Sequence, residues 1–250
     1  MKLFLTSAIG ATTKRDGKRC TGTIDNRYGF LTLFKKHLRR TERMIYIASI
    51  REDQTRIDDY FRTTIEAFQK ENIQFHENLL INGTAPQDLE SLLEHTDAVF
   101  LAGGHLPTQN SFFMDIHLDR LQKNYKGVIV AQSAGSMNCA SNVYVCPEMP
   151  GEAIDPMFRR YRPGLGLAKL NIIPHVNTNR HAILDGMKLY EEVIAPDTFQ
   201  TPLYLLADGA FFYLEDAQPP EAHGEIYLFK DGKITPYVFA EQKQSITPAR

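Results

Sequence analysis

Short apolar runs alternate along this chain with segments whose apolar positions recur at helical spacing. Residues 3–9 read as a buried strand, followed by a polar loop containing glycine. Residues 30–38 carry apolar positions one helical turn apart. Residues 43–50 form a second apolar run, and residues 54–70 bear a helical stripe of Ile57, Tyr60, Phe61, Ile65 and Phe68. Residues 73–80 are strand-like. Pro86 suits the first turn of a helix over 86–93. Residues 97–102 form a strand ending in Gly103-Gly104, a helix passes through Phe112, Ile116 and Leu121, and a strand over 127–132 follows. After residue 200 the rhythm changes. Strands over 203–207, 210–214, 225–229 and 234–239 are joined by short connections, and Asp231-Gly232 fits a hairpin turn.

Strands spaced by helices predict an α/β fold of three layers: a mostly parallel sheet with helices on both faces. The later strands predict an antiparallel C-terminal extension of that sheet. With no linker, repeat or low-complexity tract, residues 1–250 are expected to form a single domain. In such sheets ligands collect beyond the carboxyl ends of the strands. That rule singles out Gly103-Gly104 and Ser133, each just past a strand.

Composition narrows the function. The formal net charge is −2, without the basic stripe of a nucleic-acid binder. The run Lys35, Lys36, Arg39, Arg40 reads as the solvated end of a helix. No apolar run reaches membrane-spanning length, and the first residues lack the pattern of a signal peptide. Three cysteines, Cys20, Cys139 and Cys146, do not make a disulfide framework, so the cytoplasm is the expected compartment.

The strongest local signal is Val128-Ile129-Val130-Ala131-Gln132-Ser133-Ala134-Gly135-Ser136. A buried strand runs into a small-x-Ser-x-Gly turn and then a helical segment, the shape of a nucleophile elbow. Small residues flank the serine because strand and helix must pack closely around a sharp turn. The backbone N–H of Ala134 would face a developing oxyanion. Ala131 stands where such elbows usually carry their first glycine, and Ser133 read alone is equally a helix N-cap. Gly103-Gly104, at the end of the preceding strand, would present a second N–H to the same oxyanion.

A serine hydroxyl needs a base. Of eight histidines, His175 lies on a loop after the strand-like Leu170-Asn171-Ile172-Ile173, where catalytic groups gather; the bland alternative is a loop histidine. The base needs an acid to fix its tautomer. Asp208, ending the strand over 203–207, is one candidate, and Glu148 in Cys146-Pro147-Glu148-Met149-Pro150 is another. Each has an ordinary alternative, an Asp-Gly turn and a solvated loop acid.

Taken together, these blocks resemble peptidase E, the aspartyl dipeptidase family of serine peptidases. Phe100-Leu101-Ala102-Gly103-Gly104, Gln132-Ser133-Ala134-Gly135-Ser136, Pro147-Glu148-Met149-Pro150, Ile173-Pro174-His175-Val176 and Leu206-Ala207-Asp208-Gly209 match its blocks in order, and the similarity spans residues 1 to about 240. Gly-Gly-His-x-Pro-Thr-Gln-Asn over 103–110 is similar to a longer bacterial subgroup. The resemblance implies a class I glutamine amidotransferase-like, flavodoxin-like fold. It implies Ser133 as nucleophile, His175 as base, Asp208 or Glu148 as orienting acid, and Gly103, Gly104 and Ala134 around the oxyanion. No metal or other cofactor is implied. The expected partner is a small peptide, with an N-terminal aspartate in the enteric members, and a homodimer is one option for assembly. Those members read the aspartate with a basic residue after the histidine block, where Arg180 is the only arginine here. The cluster Arg159, Arg160, Arg162 is an alternative binder of a substrate carboxylate, with plain surface charge as its ordinary reading, and the candidate substrate contacts are His105, Arg160 and Arg180.

Three rivals remain at this stage. An α/β-hydrolase esterase would use Ser133, Asp208 and then His223. An amidotransferase would need a cysteine in the elbow. A degenerate relative would bind a peptide or metabolite without cleaving it.

Overall fold

In the computed structural model, which describes residues 1–48, 54–84, 86–121, 125–216 and 218–237, the opening strand lies in mid-sheet. Among the described residues the main sheet has seven strands. Their order is Glu221–His223, Phe211–Glu215, Lys2–Thr6, Val128–Gln132, Ala98–Leu101, Arg43–Ala48 and Glu77–Asn82. The five from Lys2–Thr6 onward run parallel, and Phe211–Glu215 runs antiparallel to both of its neighbours. This is the expected α/β architecture.

The continuous apolar runs are explained by burial on both faces. Leu3, Leu5, Val99, Leu101, Ile129 and Ala131 point into one core, capped by Leu106, Phe112 and Phe113 of helix Leu106–Asp115. Phe4, Tyr46, Phe100, Val128 and Val130 point into the other, covered by Phe30 and Phe34 of helix Phe30–His37 and by Ile57 and Phe68 of helix Gln54–Lys70. Alternate residues of one strand thus serve two layers, as the period of two requires. Phe4 and Phe30 meet edge-on, with centroids 5.3 Å apart.

Several expectations are refined. The polar loop after the first strand is a hairpin, Thr12–Arg15 with Lys18–Thr21, turned at Asp16-Gly17 with both residues at positive φ. The helix expected from Pro86 begins at Leu89, because the Asp88 carboxylate accepts the Ser91 N–H at 2.9 Å and caps it there. The helix through residues 112–121 breaks at His117, left-handed at φ 55°, before a short 3-10 turn. The strand expected over 73–80 is Glu77–Asn82. Positions 49–50 and 238–239 of two expected strands lie outside the described residues.

The antiparallel C-terminal strands divide between two sheets. Phe211–Glu215 and Glu221–His223 extend the main sheet. Leu203–Leu206, Ile226–Lys230 and Lys233–Pro236 instead join Asn171–Ile173 in a second, four-stranded sheet. Asp231 and Gly232 form its hairpin turn, at φ 50° and 71°. A third cluster, including Tyr144, Ile173, Tyr190, Leu203, Leu205 and Phe229, supports that sheet. The chain crosses from one sheet to the other through the turn at 207–210, where Ala210 N–H donates to Ala207 O at 3.0 Å.

The elbow is closed by tight packing. A Cβ on Gly135 would lie 2.3 Å from Leu101 O and 2.7 Å from Ala102 O, both backbone atoms of the neighbouring strand end. Gly135→Ala is therefore expected to cost about 1–3 kcal/mol or more. That corresponds to a fall in Tm of roughly 3–10 °C by calorimetry; an unchanged Tm would contradict the close approach.

Candidate active site

Ser133 follows strand Val128–Gln132 and precedes the helical turn Ala134–Met137, with φ 53° and ψ −121°. A non-glycine residue holds this conformation only when its surroundings over-determine it. Here Ser133 N–H donates to Thr6 O at 3.0 Å. Ser136 Oγ ties the same turn down, its one proton shared between Thr6 O (2.8 Å) and Ala131 O (2.7 Å). The strain turns the Ser133 hydroxyl away from the sheet, past the carboxyl ends of its strands.

The second sheet supplies the partners. Asn171–Ile173 pairs in parallel with Leu203–Leu206, with Ile173 opposite Leu205. Two residues beyond, His175 and the Ala207-Asp208 turn come side by side. His175 is left-handed at φ 60°, which swings its ring toward the main sheet. Its Nε2 lies 3.0 Å from Ser133 Oγ, and its Nδ1 lies 2.6 Å from Asp208 Oδ1. An ionised carboxylate only accepts, so Nδ1 carries the proton and Nε2 presents its lone pair to the Ser133 hydroxyl. The His175 hydrogen bond holds the Asp208 carboxyl below the ordinary carboxylate range. Ser7 and the charge of Arg27 add to this, against desolvation.

Ser7 is the residue the sequence reading missed. Fully buried at the end of the first strand, it donates from Oγ to Asp208 Oδ1 at 2.7 Å and accepts the His175 N–H at 2.8 Å. It thus fixes both the acid and the backbone of the histidine. The available signal was its place, a polar residue at the carboxyl end of a central strand beside the elbow strand. Arg27 steadies the far side of the acid by donating to Asp208 O at 3.1 Å.

The remaining candidates separate. Gly103 backs the serine, since a Cβ there would lie 3.2 Å from Ser133 Cβ. Gly104 and Ala134 line the same cleft as Ser133 and His175. Glu148 is also in this cleft, but Asp208 is the carboxylate that hydrogen-bonds His175. Glu148 reaches solvent, yet the protein around its carboxyl raises its pKa by desolvation, with Glu152 adding to the rise and His105 and His175 opposing it. His105 is close enough to act on that charge, and its Nδ1 contacts Thr108 Oγ1 at 2.8 Å. Arg160 and Arg180 do not line the cleft: Arg160 pairs with Asp197 at 3.6 Å, and Arg180 lies over the Tyr227 ring. His223 stacks on Phe211, with centroids 4.4 Å apart, rather than on the Ser133 side. Cys139 is buried in the core. Cys146 lines the cleft wall, and burial pushes its thiol up to about 12.

The cleft encloses about 410 Å³. Among the described residues, no group of three or more His, Cys, Asp or Glu side chains could hold a metal ion, and no helix is long and apolar enough to cross a membrane.

The sequence model of peptidase family S51 matches residues 25–219. The chain belongs to that family. Two solved structures share the fold of this S51 chain. A peptidase from an acI-B1 Actinobacterium superposes with a TM-score of 0.58 at 13% identity, covering 96% of this chain and 94% of its own. A putative peptidase E protein from Listeria monocytogenes EGD-e gives 0.54 at 14% identity, covering 88% and 98%. No curated protein matches the chain.

Two stability predictions follow from these contacts in the S51 chain. Ser7→Ala leaves the His175 N–H and one Asp208 lone pair without a partner, so denaturant unfolding should register a loss of about 1–3 kcal/mol. The depressed pKa of Asp208 means that its stabilising contribution is complete above the unfolded value, about pH 3.9. That contribution is lost as pH falls through the lower folded value. Asp208→Asn should therefore flatten the acid limb of the Tm against pH curve; an acid limb as steep as wild type would refute the linkage.

Proposed function

We propose that this chain is a serine peptidase that cleaves dipeptides or short peptides through an acyl-enzyme on Ser133. The observation that carries the reading is the continuous relay from Ser133 Oγ through His175 to Asp208, opening into one cleft. Family membership supports the peptidase class. The cleft volume sits near the lower end of the ~300–1,000 Å³ usual for small-ligand sites, which favours a short substrate.

The chemistry proceeds in two halves. Ser133 Oγ attacks the scissile carbonyl carbon as its proton passes to His175 Nε2, and the carbonyl π electrons move to oxygen. The resulting oxyanion is received by backbone N–H groups of Gly104 and Ala134, with Gly103 allowing the loop to approach. Asp208 stabilises the imidazolium. His175 then delivers the proton to the amide nitrogen, the C–N bond breaks, and the amine leaves with the second part of the peptide. Water adds to the acyl-enzyme with His175 as base, and the carboxylic acid departs as Ser133 regains its proton. We place this activity in the cytoplasm, on the strength of three free cysteines.

An esterase using His223 makes a different prediction from the same residues. Purified Ser133→Ala and His175→Ala proteins are expected to lose kcat by roughly a thousandfold or more while folding normally, and Asp208→Asn by about ten-thousandfold at most. His223→Ala should retain near-normal turnover. A serine-directed fluorophosphonate should label Ser133 in the wild-type protein. An unlabelled Ser133, or a normal rate in His175→Ala, would defeat the proposal.

A further inference from the structure

The cleft beside Ser133 has a chemical bias that the relay does not require. Met137, Cys146, Ile173, Leu184 and Leu189 make part of its wall apolar, and Glu148, which also reaches solvent, lines it with them. Among the described residues that line it, none is lysine or arginine. The arginines expected to read a substrate carboxylate are engaged elsewhere, Arg160 with Asp197 and Arg180 over Tyr227. The backbone that carries Glu148 is held in place. Its own N–H and that of Met149 donate to Glu152 Oε2, at 2.8 and 2.9 Å. Asp185 then staples the same loop to the opposite wall, accepting the N–H groups of Gly151 (2.7 Å) and Ala153 (3.0 Å). A carboxylate at a partly apolar cleft with no lysine or arginine among its described lining residues attracts a cation, and a second carboxylate placed beside it is repelled.

We infer that the site takes short peptides with an apolar first residue, whose side chain rests among Met137, Ile173, Leu184 and Leu189 and whose free α-ammonium sits on Glu148. This rests on the serine-peptidase reading, since it places the first residue's carbonyl at Ser133. In such a substrate the ammonium is two bonds from the attacked carbon, so one bound residue engages Glu148 and Ser133 together. An aspartate in the first position would set its carboxylate against Glu148 and strip it of water against hydrocarbon. A leucine or methionine there removes apolar surface from water instead.

The test uses the purified full chain with dipeptides leading in Leu, Met, Ala and Asp, and with N-acetyl-Leu forms of the first. The kcat/KM for Leu- and Met-leading dipeptides should exceed that for Asp-leading ones by about tenfold or more, the scale set by filling or missing an apolar pocket. N-acetylation should lower it by a similar factor. Glu148→Gln should lower cleavage of the free amine and shrink its advantage over the acetylated form. Ile183 is 70% exposed at the cleft rim, so Ile183→Arg should fold and shift relative preference toward Asp-leading dipeptides. Preference for Asp-leading dipeptides in the wild type would overturn the inference, as would indifference to acetylation. Fluorophosphonate labelling separates the two levels. A labelled Ser133 with Asp preference, or with no dipeptide cleaved, sinks the specificity alone, whereas an unlabelled protein that cleaves nothing sinks the peptidase reading as well.

Discussion

The site depends on one contact between two strand ends, the 2.6 Å approach of His175 Nδ1 to Asp208 Oδ1. Both residues leave the smaller sheet, from neighbouring parallel strands. The contact fixes which ring nitrogen carries the proton, and hence which one can accept from Ser133 on the main sheet. Without the second sheet, the Ser133 hydroxyl would have no imidazole beside it. Without the crossover at 207–210, the acid and the main-sheet strand Phe211–Glu215 could not be held by the same few residues.

Two backbone conformations uncommon for residues with side chains meet at this junction. Ser133 and His175 both have positive φ, and both have partners that hold them there. The turn at Ser133 is tied to the first strand through Thr6 O, and the His175 N–H ends on Ser7. Thr6 and Ser7 are consecutive, so two adjacent residues of the opening strand brace both turns. Ser7, itself fully buried, adds a bond to Asp208 and so ties the half-exposed His175–Asp208 pair to the floor of the sheet. Polar networks are rigid when complete and costly when broken. The chain thereby holds Ser133 and His175 in one arrangement through its own backbone bonds.

The cleft's remaining wall is built differently. It comes from the loop after Cys146 and from residues 182–189, joined by the Asp185 carboxylate across to Gly151 and Ala153. Those residues make none of the hydrogen bonds among Ser133, His175 and Asp208. They set the shape and charge of what can lie beside that trio. The hydrogen-bonded trio thus sits on strand ends, whereas the facing wall is made of stapled loops, the parts of a fold that vary most readily.

Much of this was legible in the chain itself. Apolar runs such as 127–132 and 97–102 can be buried on both faces only in a covered parallel sheet, so the α/β class followed from them. The tight small residues around Ser133, and the polar positions past strand ends at His175 and Asp208, pointed to three residues that the structure brings into contact. The choice between Asp208 and Glu148 was not legible, because both lie near His175 and only the strand pairing decides which carboxylate meets the ring. Ser7 was hidden for a similar reason: in sequence it is one more residue of an apolar strand. The split of the late strands between two sheets, and the removal of Arg160 and Arg180 from the cleft, were also settled only in three dimensions. A sequence records which faces must be buried and which turns are tight, since these are local demands of side-chain volume and backbone sterics. Which distant groups then touch depends on sheet register and crossovers, and those are fixed by the packing of the whole chain.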